Sequence, residues 1–178
     1  MQEEETNFLK KKIEAKRDLA KKFSFSAKKP LLGVFLDHEL SKKDEEKIKS
    51  VLEGTANIDV EVIVLSESNL DISSLPHTIF LPYGRINRQT LLDAVDIAIS
   101  FPFNDVEEML LHGVIPVCKH RPEVKNYNPN HETGNGFIYR GESAWSIFAA
   151  LVRALETFKF PYDWKHIVRH GMESVKSF

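Results

Sequence analysis

A single cysteine, Cys118, leaves the chain without an internal disulfide, and no apolar run near Met1 could serve as a signal peptide or membrane span. These absences point to a reducing, cytoplasmic setting and to a chain with no membrane partner. The formal net charge of -2 argues against a broad electrostatic footprint for nucleic acid, which needs a clear excess of Lys and Arg on one face. Local positive charge gathers only in the first thirty residues (Lys10, Lys11, Lys12, Lys16, Arg17 and onward to Lys29). Glu3, Glu4, Glu5, Glu14 and Asp18 are interspersed there, the pattern of a solvated helix face. No strand is followed by a glycine-rich turn that could bring backbone against a pyrophosphate: the loop after the second strand reads Ser66-Glu67-Ser68-Asn69, so a generic dinucleotide site is not expected. His166 and His170 share one helical face but lack a third ligand at a telling spacing, so no metal centre is expected. Cys118 follows the apolar run Val114-Ile115-Pro116-Val117 with no base beside it in sequence, and reads as a half-buried spectator.

What is present is an ordinary globular composition, 42% hydrophobic and 28% charged, in a length that suits one domain with a buried core. An amphipathic lead-in helix over Asn7–Phe23, within the segment 1–29, is expected to lie across the domain. Beyond Pro30, continuous apolar runs alternate with amphipathic stretches. Strands are expected at Leu31–Leu36, Val60–Leu65, Thr78–Leu81 (flanked by Pro76 and Pro82), Ile97–Ser100, Val114–Val117 and Phe137–Tyr139. Helices are expected from the Ser41 cap to Gly54, and over Arg88–Val95, Asp105–Leu111 and Ser143–Phe158. The last of these carries an apolar stripe of Trp145, Phe148, Ala149, Val152 and Leu155. Pro161 then breaks the chain and Asp163 caps a final helix. This alternation predicts an α/β, Rossmann-like, doubly wound parallel sheet in a single domain spanning 1–178.

In such a sheet ligands bind outside the carboxyl ends of the strands. The first of these loops, Asp37 to Lys43, sets Lys42 beside a helix N-terminus, where an ammonium group and free backbone N–H groups could meet a phosphate, although Asp37 and Glu39 bring negative charge to the same loop. The loop after Ser100 reads Phe101-Pro102-Phe103-Asn104-Asp105, with Asp105 a candidate helix cap. The aromatic set Phe101, Phe103, Trp145, Phe158, Phe160, Tyr162 and Trp164 reads mainly as packing. The strongest signature begins at Gly113-Val114-Ile115-Pro116-Val117, continues as Asn126-Tyr127-Asn128-Pro129, and ends as Thr133-Gly134-Asn135-Gly136-Phe137. Gly113 suits the left-handed position that ends a helix, and Gly134 and Gly136 permit a tight turn before a strand.

These segments resemble the C-terminal domain of the bacterial glycogen and plant starch synthases, two-domain GT-B glycosyltransferases. Their G-T-V-P-V, D-Y-D-P and G-T-G-F segments correspond to GVIPV, NYNP and GNGF here. The likeness extends to Lys28–Phe35 as the family's first strand, to Asp93–Ala98, and to Ala149–Phe158 followed by Gly171-Met172, and is faint between Glu53 and Arg88. It implies a domain that holds an ADP- or UDP-glucose donor, with no other cofactor, facing an N-terminal domain that binds the glucan. It also implies donor or phosphate contacts at Lys42, Asp105 and Val106, and a cleft scaffold at Gly113, Pro116, Gly134 and Gly136. The departures are specific. The family's phosphate-binding arginine falls on Asp37, and its E-P-x-G-L segment falls within Ser100–Asp105 as SFPFND, without the Glu or the Gly. Glucosyl transfer needs preorganised charge for an oxocarbenium-like centre and a departing diphosphate, so these losses imply a degenerate donor site, inactive in isolation. The alternative is a non-catalytic module that kept the fold and binds glucan or a partner glycosyltransferase. The chain stops at Ser177-Phe178, where family members continue into a further helix, which suits a fragment.

Overall fold

In the computed structural model, which describes residues 2–67, 75 and 77–176, the chain forms a six-stranded sheet flanked by helices on both faces. In chain order the elements are α1 (Gln2–Phe23), β1 (Leu31–Leu36), α2 (Lys42–Thr55), β2 (Glu61–Ser66), β3 (Thr78–Pro82), α3 (Arg85–Ala94), β4 (Ile97–Ser100), α4 (Val106–Leu111), β5 (Ile115–Lys119), β6 (Phe137–Tyr139), α5 (Ala144–Phe158) and α6 (Pro161–Lys176). The strand order is β3-β2-β1-β4-β5-β6, every pairing is parallel, and the order reverses between β1 and β4. This is the expected doubly wound sheet, and a crevice outside the β1 and β4 carboxyl ends follows from it. The expected loop residues Ser68 and Asn69, the strand-flanking Pro76 and the chain-end Ser177 and Phe178 lie outside the described residues.

The central strands are buried on both faces, which is why β1 (LLGVFL) and the first three residues of β4 (IAIS) are apolar and not alternating. One core layer joins them to α2, α5 and α6, and a second joins them to α1 and α3. Ser41 caps α2, accepting from the Asp44 N–H, and Ser143 caps α5 by accepting from Ser146.

Four expectations are corrected. The buried face of α5 is Ile147, Ala150, Leu151, Ala154 and Leu155, an i, i+3, i+4, i+7, i+8 set whose alanines let the helix approach the sheet closely, whereas Trp145 is 78% exposed. Proline opens α6 instead of ending the run before a cap: Pro161 is its first residue, where a missing N–H is harmless, and Asp163 sits inside its first turn. Phe160 and Tyr162 are exposed, while Phe158 and Trp164 pack edge to face. Finally, the lysines of α1 are not all solvated. Lys12 and Lys16, one helical turn apart, are buried beneath the amino ends of the strands. Lys12 Nζ donates to the Leu92 and His112 carbonyls, at the carboxyl ends of α3 and α4, where helix dipoles favour a cation. Lys16 Nζ bonds Asp96 Oδ2 at 2.6 Å and the Lys29 carbonyl at 2.6 Å, and Asp96 in turn accepts from the Leu31 N–H at 2.8 Å. These bonds pin α1 across the domain, as its amphipathic pattern predicts.

Candidate functional site

The crevice outside β1 and β4 is closed at its centre by one side chain. Asn104 is 4% exposed; its Oδ1 accepts from the Phe101 N–H at 2.8 Å, and its Nδ2 donates to the Phe35 carbonyl at 3.1 Å and to Asp37 Oδ1 at 3.3 Å. The β1–β4 pairing ends at Val34↔Ile99, so Asn104 stitches the two strands together past their last register pair. Arg121 holds the same loop from the other side, donating to the carbonyls of Phe101 at 3.3 Å and Asn104 at 2.9 Å. The segment SFPFND is therefore a rigid plug. Its surface offers the Phe103 ring, which lies 5.4 Å from Phe101 and 4.9 Å from the exposed imidazole of His38, centroid to centroid.

Beside the plug, a cavity of about 510 Å³ opens between the β1–α2 and β6–α5 loops, lined in part by Ser41, Lys43, Lys47, Phe103, Lys119 and Glu142. Its three lysines converge from two elements, but two of them are already paired. Lys47 Nζ lies 3.0 Å from Asp44 and 3.7 Å from Glu142, and Lys119 Nζ lies 2.5 Å from Glu142. The Lys119 ammonium, first by its hydrogen bond and then by its charge, holds the Glu142 carboxyl below the usual carboxylate range. Hydrogen bonds from Ser41 and then Lys47 do the same to Asp44. An anion entering here must compete with two carboxylates. Arg88 and Glu108 form a fork-to-fork pair that ties α3 to α4, with Arg88 Nη1 2.8 Å from Glu108 Oε1.

Of the candidate donor residues, Lys42 heads α2, whereas Asp105 and Val106 adjoin at the head of α4. Lys42 is the first residue of α2, exposed, and does not line the cavity; its neighbours Lys43 and Lys47 do. Asp105 caps α4, accepting from the Glu108 N–H at 3.0 Å. Val106 buries its side chain with Leu110, Cys118 and Val124, so only its backbone faces the loop. Cys118 is buried, and burial pushes its thiol up to about 12, which leaves an inert spectator in a more enclosed place than the half-buried one expected. His166 and His170 lie 5.7 Å apart ring to ring, and among the described residues no group of three or more His, Cys, Asp or Glu is placed to hold a metal ion.

The stretch Gly113–Phe137 has a structural explanation. Gly113, at φ +64, turns the end of α4 into β5. Gly134 adopts φ +109, and a Cβ there would meet the Tyr127 Cα at 2.6 Å and the Asn126 carbonyl oxygen at 2.7 Å, so the NYNP and GNGF turns can lie on one another only with glycine at this position. Gly136 is packed against the Pro116 carbonyl oxygen, where a Cβ would come to 3.0 Å. Buried Asn135 then fastens the turn, accepting from the Lys125 N–H at 2.7 Å and donating to the Glu123 carbonyl and to Ser174 of α6. These three segments, GVIPV, NYNP and GNGF, carry no charged side chain, and none of their residues lines the cavity beside the plug. The Asn104 plug, the Lys47–Lys119–Glu142 cluster and the Arg121 clamp escaped the sequence reading. A buried-loop Asn before a helix cap is the one local signal that could have marked the first of them.

No family model matches the chain. A glycogen synthase from Fervidobacterium nodosum is 30% identical over 67 residues, which is 35% of this chain and 14% of that protein. The C-terminal domain of a glycosyl transferase group 1 family protein (LpcC) from Francisella tularensis superposes with a TM-score of 0.64 at 13% identity, covering 93% of this chain and 91% of that domain. Anabaena Alr3699/HepE, solved with UDP and glucose, superposes at 0.65 and 13% identity over 92% of this chain; the chain spans about half of that protein, 48%. At these identities the likeness is one of fold. Across its described residues, the chain has the fold of the C-terminal domain of GT-B glycosyltransferases, in a divergent form.

Proposed function

We propose that this chain is the donor-side domain of a glycogen or starch synthase-like glycosyltransferase, that ADP-glucose or UDP-glucose lodges at the carboxyl ends of β1, β4, β5 and β6, and that the domain alone transfers nothing. The cavity at those strand ends, with Lys43, Lys47 and Lys119 on its lining, carries the donor part of this reading, and the inactive part is carried by the Asp37–Asn104 bridge. It places a carboxylate and a neutral amide at the switch point, where a departing diphosphate needs fixed positive charge. The available cations, Lys43, Lys47 and Lys119, stand to one side, and Lys42 heads α2 outside the cavity. Phosphates would reach Lys47 and Lys119 by displacing Asp44 and Glu142. Asp105, itself an acceptor, suits sugar hydroxyls better than phosphate, and Val106 contributes only its backbone N–H at the head of α4. The Phe103 ring beside His38 gives the sugar or base an apolar face. Transfer to a glucan would take place against an N-terminal GT-B domain closing over this end.

Calorimetric titration with ADP, UDP and their glucose conjugates tests the proposal. Dissociation constants of about a millimolar are expected, weakened by Lys47→Ala and Lys119→Ala, with no glucosyl transfer to glucan by the chain alone. Absence of binding by every nucleotide would sink the donor reading, and transfer by the isolated chain would sink the inactive one.

A second reading is favoured by two exposed apolar side chains. Trp145 (78% exposed) and Ile86 (82% exposed) are the second residues of α5 and α3, helices whose amino ends lie at the same end of the sheet as the crevice. They suit a non-catalytic module that docks on glucan or on an active glycosyltransferase. Glucan affinity lost in Trp145→Ala, in a chain that binds no nucleotide, is the result that would select this reading.

A further inference from the structure

At the opposite end of the sheet, α1 and α6 enclose a cavity of about 730 Å³, within the range of sites that hold small molecules. Its walls are apolar: Leu9, Ile13, Phe158, Pro161, Trp164 and Val168. Its floor is the buried Lys12 and Lys16 with Asp96. Each ammonium has three N–H donors. Lys12 directs donors to two neutral carbonyls, which among the described residues leaves it one donor without a protein acceptor, whereas Lys16 bonds the Lys29 carbonyl and Asp96 and sits 5.1 Å from the centre of the Phe158 ring. Two cations and one carboxylate leave the floor one positive charge in surplus, and Arg17 and Lys28 extend that sign to the rim. Asp93 is paired with His112 at 2.9 Å and does not line the cavity, although its charge also acts on Lys12.

We propose that this cavity is a second binding site, for a small amphiphilic carboxylate whose apolar body lies along Phe158, Trp164 and Ile13 and whose single negative charge is received by Lys12 and Lys16. The occupant balances the floor's charge and supplies the missing acceptor, and neither a neutral lipid nor a dianion does both. Burial pushes the Lys12 ammonium down to about 8, in spite of Asp96 and Asp93 and with the help of Lys16, so a carboxylate beside it relieves a charge that the protein only partly compensates.

The site is remote from the donor crevice, and Trp164 reports on it. The only other tryptophan, Trp145, stands exposed at the far end of the sheet, so a Trp145→Phe chain gives emission from Trp164 alone. Titrating that chain with decanoate is expected to shift its emission saturably, and decanol, of equal length without the charge, to bind at least about tenfold more weakly. Lys12→Met removes the preference for decanoate. Because Lys12 also caps two helices, a second variant avoids the core: Ile13→Asp places a carboxylate at the exposed rim and is expected to weaken decanoate about fivefold or more, with the circular dichroism of the folded chain retained. Decanol binding as well as decanoate, no saturable change with decanoate, or full affinity in Ile13→Asp each overturns the assignment.

Discussion

Replacing Asn104 with Ala removes an acceptor from the Phe101 N–H and a donor from the Phe35 carbonyl and Asp37, at a position 4% exposed where water has little access. A buried polar group left unpaired costs about 1–3 kcal/mol, and two backbone groups are orphaned, so the loss is about 2–4 kcal/mol with some relaxation of the loop. Against a total stability of about 5–15 kcal/mol for a domain this is a large fraction, and at this chain length it lowers the midpoint of thermal unfolding by roughly 4–16 °C. Urea unfolding followed by circular dichroism measures the free energy, and scanning calorimetry measures the midpoint. Asn104→Asp sharpens the test. It keeps the acceptor for Phe101 but sets a second carboxylate against Asp37, so its deficit should shrink as the pH falls and either carboxylate is protonated. A loss under about 0.5 kcal/mol in Asn104→Ala, or an Asn104→Asp chain as stable as the parent at neutral pH, would refute the view that this side chain locks the switch point.

Three further outcomes follow from the same geometry. Gly134→Ala should cost on the order of 3 kcal/mol or prevent folding, because its Cβ meets backbone at 2.6 Å, whereas Gly113→Ala, strained mainly by φ +64, should cost about 1–2 kcal/mol; paired urea unfolding curves decide it. Cys118 should resist iodoacetamide at pH 8 in the folded chain and react once urea unfolds it; rapid labelling of the native protein would contradict the raised thiol. Glu108 has its carboxyl held below the ordinary value by hydrogen bonding to Arg88, so its contribution is present above the unfolded value of 4.5 and is lost as pH falls through the lower folded value. Glu108→Gln should therefore be less stable than the parent at pH 7 by about 1 kcal/mol or less, with the gap narrowing below pH 4, measured by thermal unfolding across pH.

Much of the scaffold is legible in the sequence because it rests on burial. β1 begins and ends where its apolar run does, since two-sided burial tolerates no polar residue inside the run. Gly113, Gly134 and Gly136 are legible for a related reason, backbone conformation and close approach, and their motif therefore reports architecture more than chemistry. The rest depends on tertiary partners. Lys12 and Lys16 look like solvated charges until the carboxyl ends of α3 and α4 and the Asp96 carboxylate arrive around them. Trp145 looks like part of an apolar stripe until Ile147 and the alanines of α5 claim the sheet. Lys43 and Lys47 lie one turn apart on α2, but Lys119 is far from them in sequence, and only the shared cavity between α2 and the end of β5 makes the three neighbours.

The claim that the nucleotide sugar lodges at the carboxyl ends of the strands is tested most directly by nuclear magnetic resonance of the nitrogen-15-labelled chain titrated with UDP-glucose and ADP-glucose. Backbone amide shifts are expected to gather at His38–Lys47, Phe101–Val106, Lys119 and Tyr139–Ile147, the segments that surround the crevice. Shifts confined to α1 and α6, or no shifts at all at millimolar ligand, would contradict it.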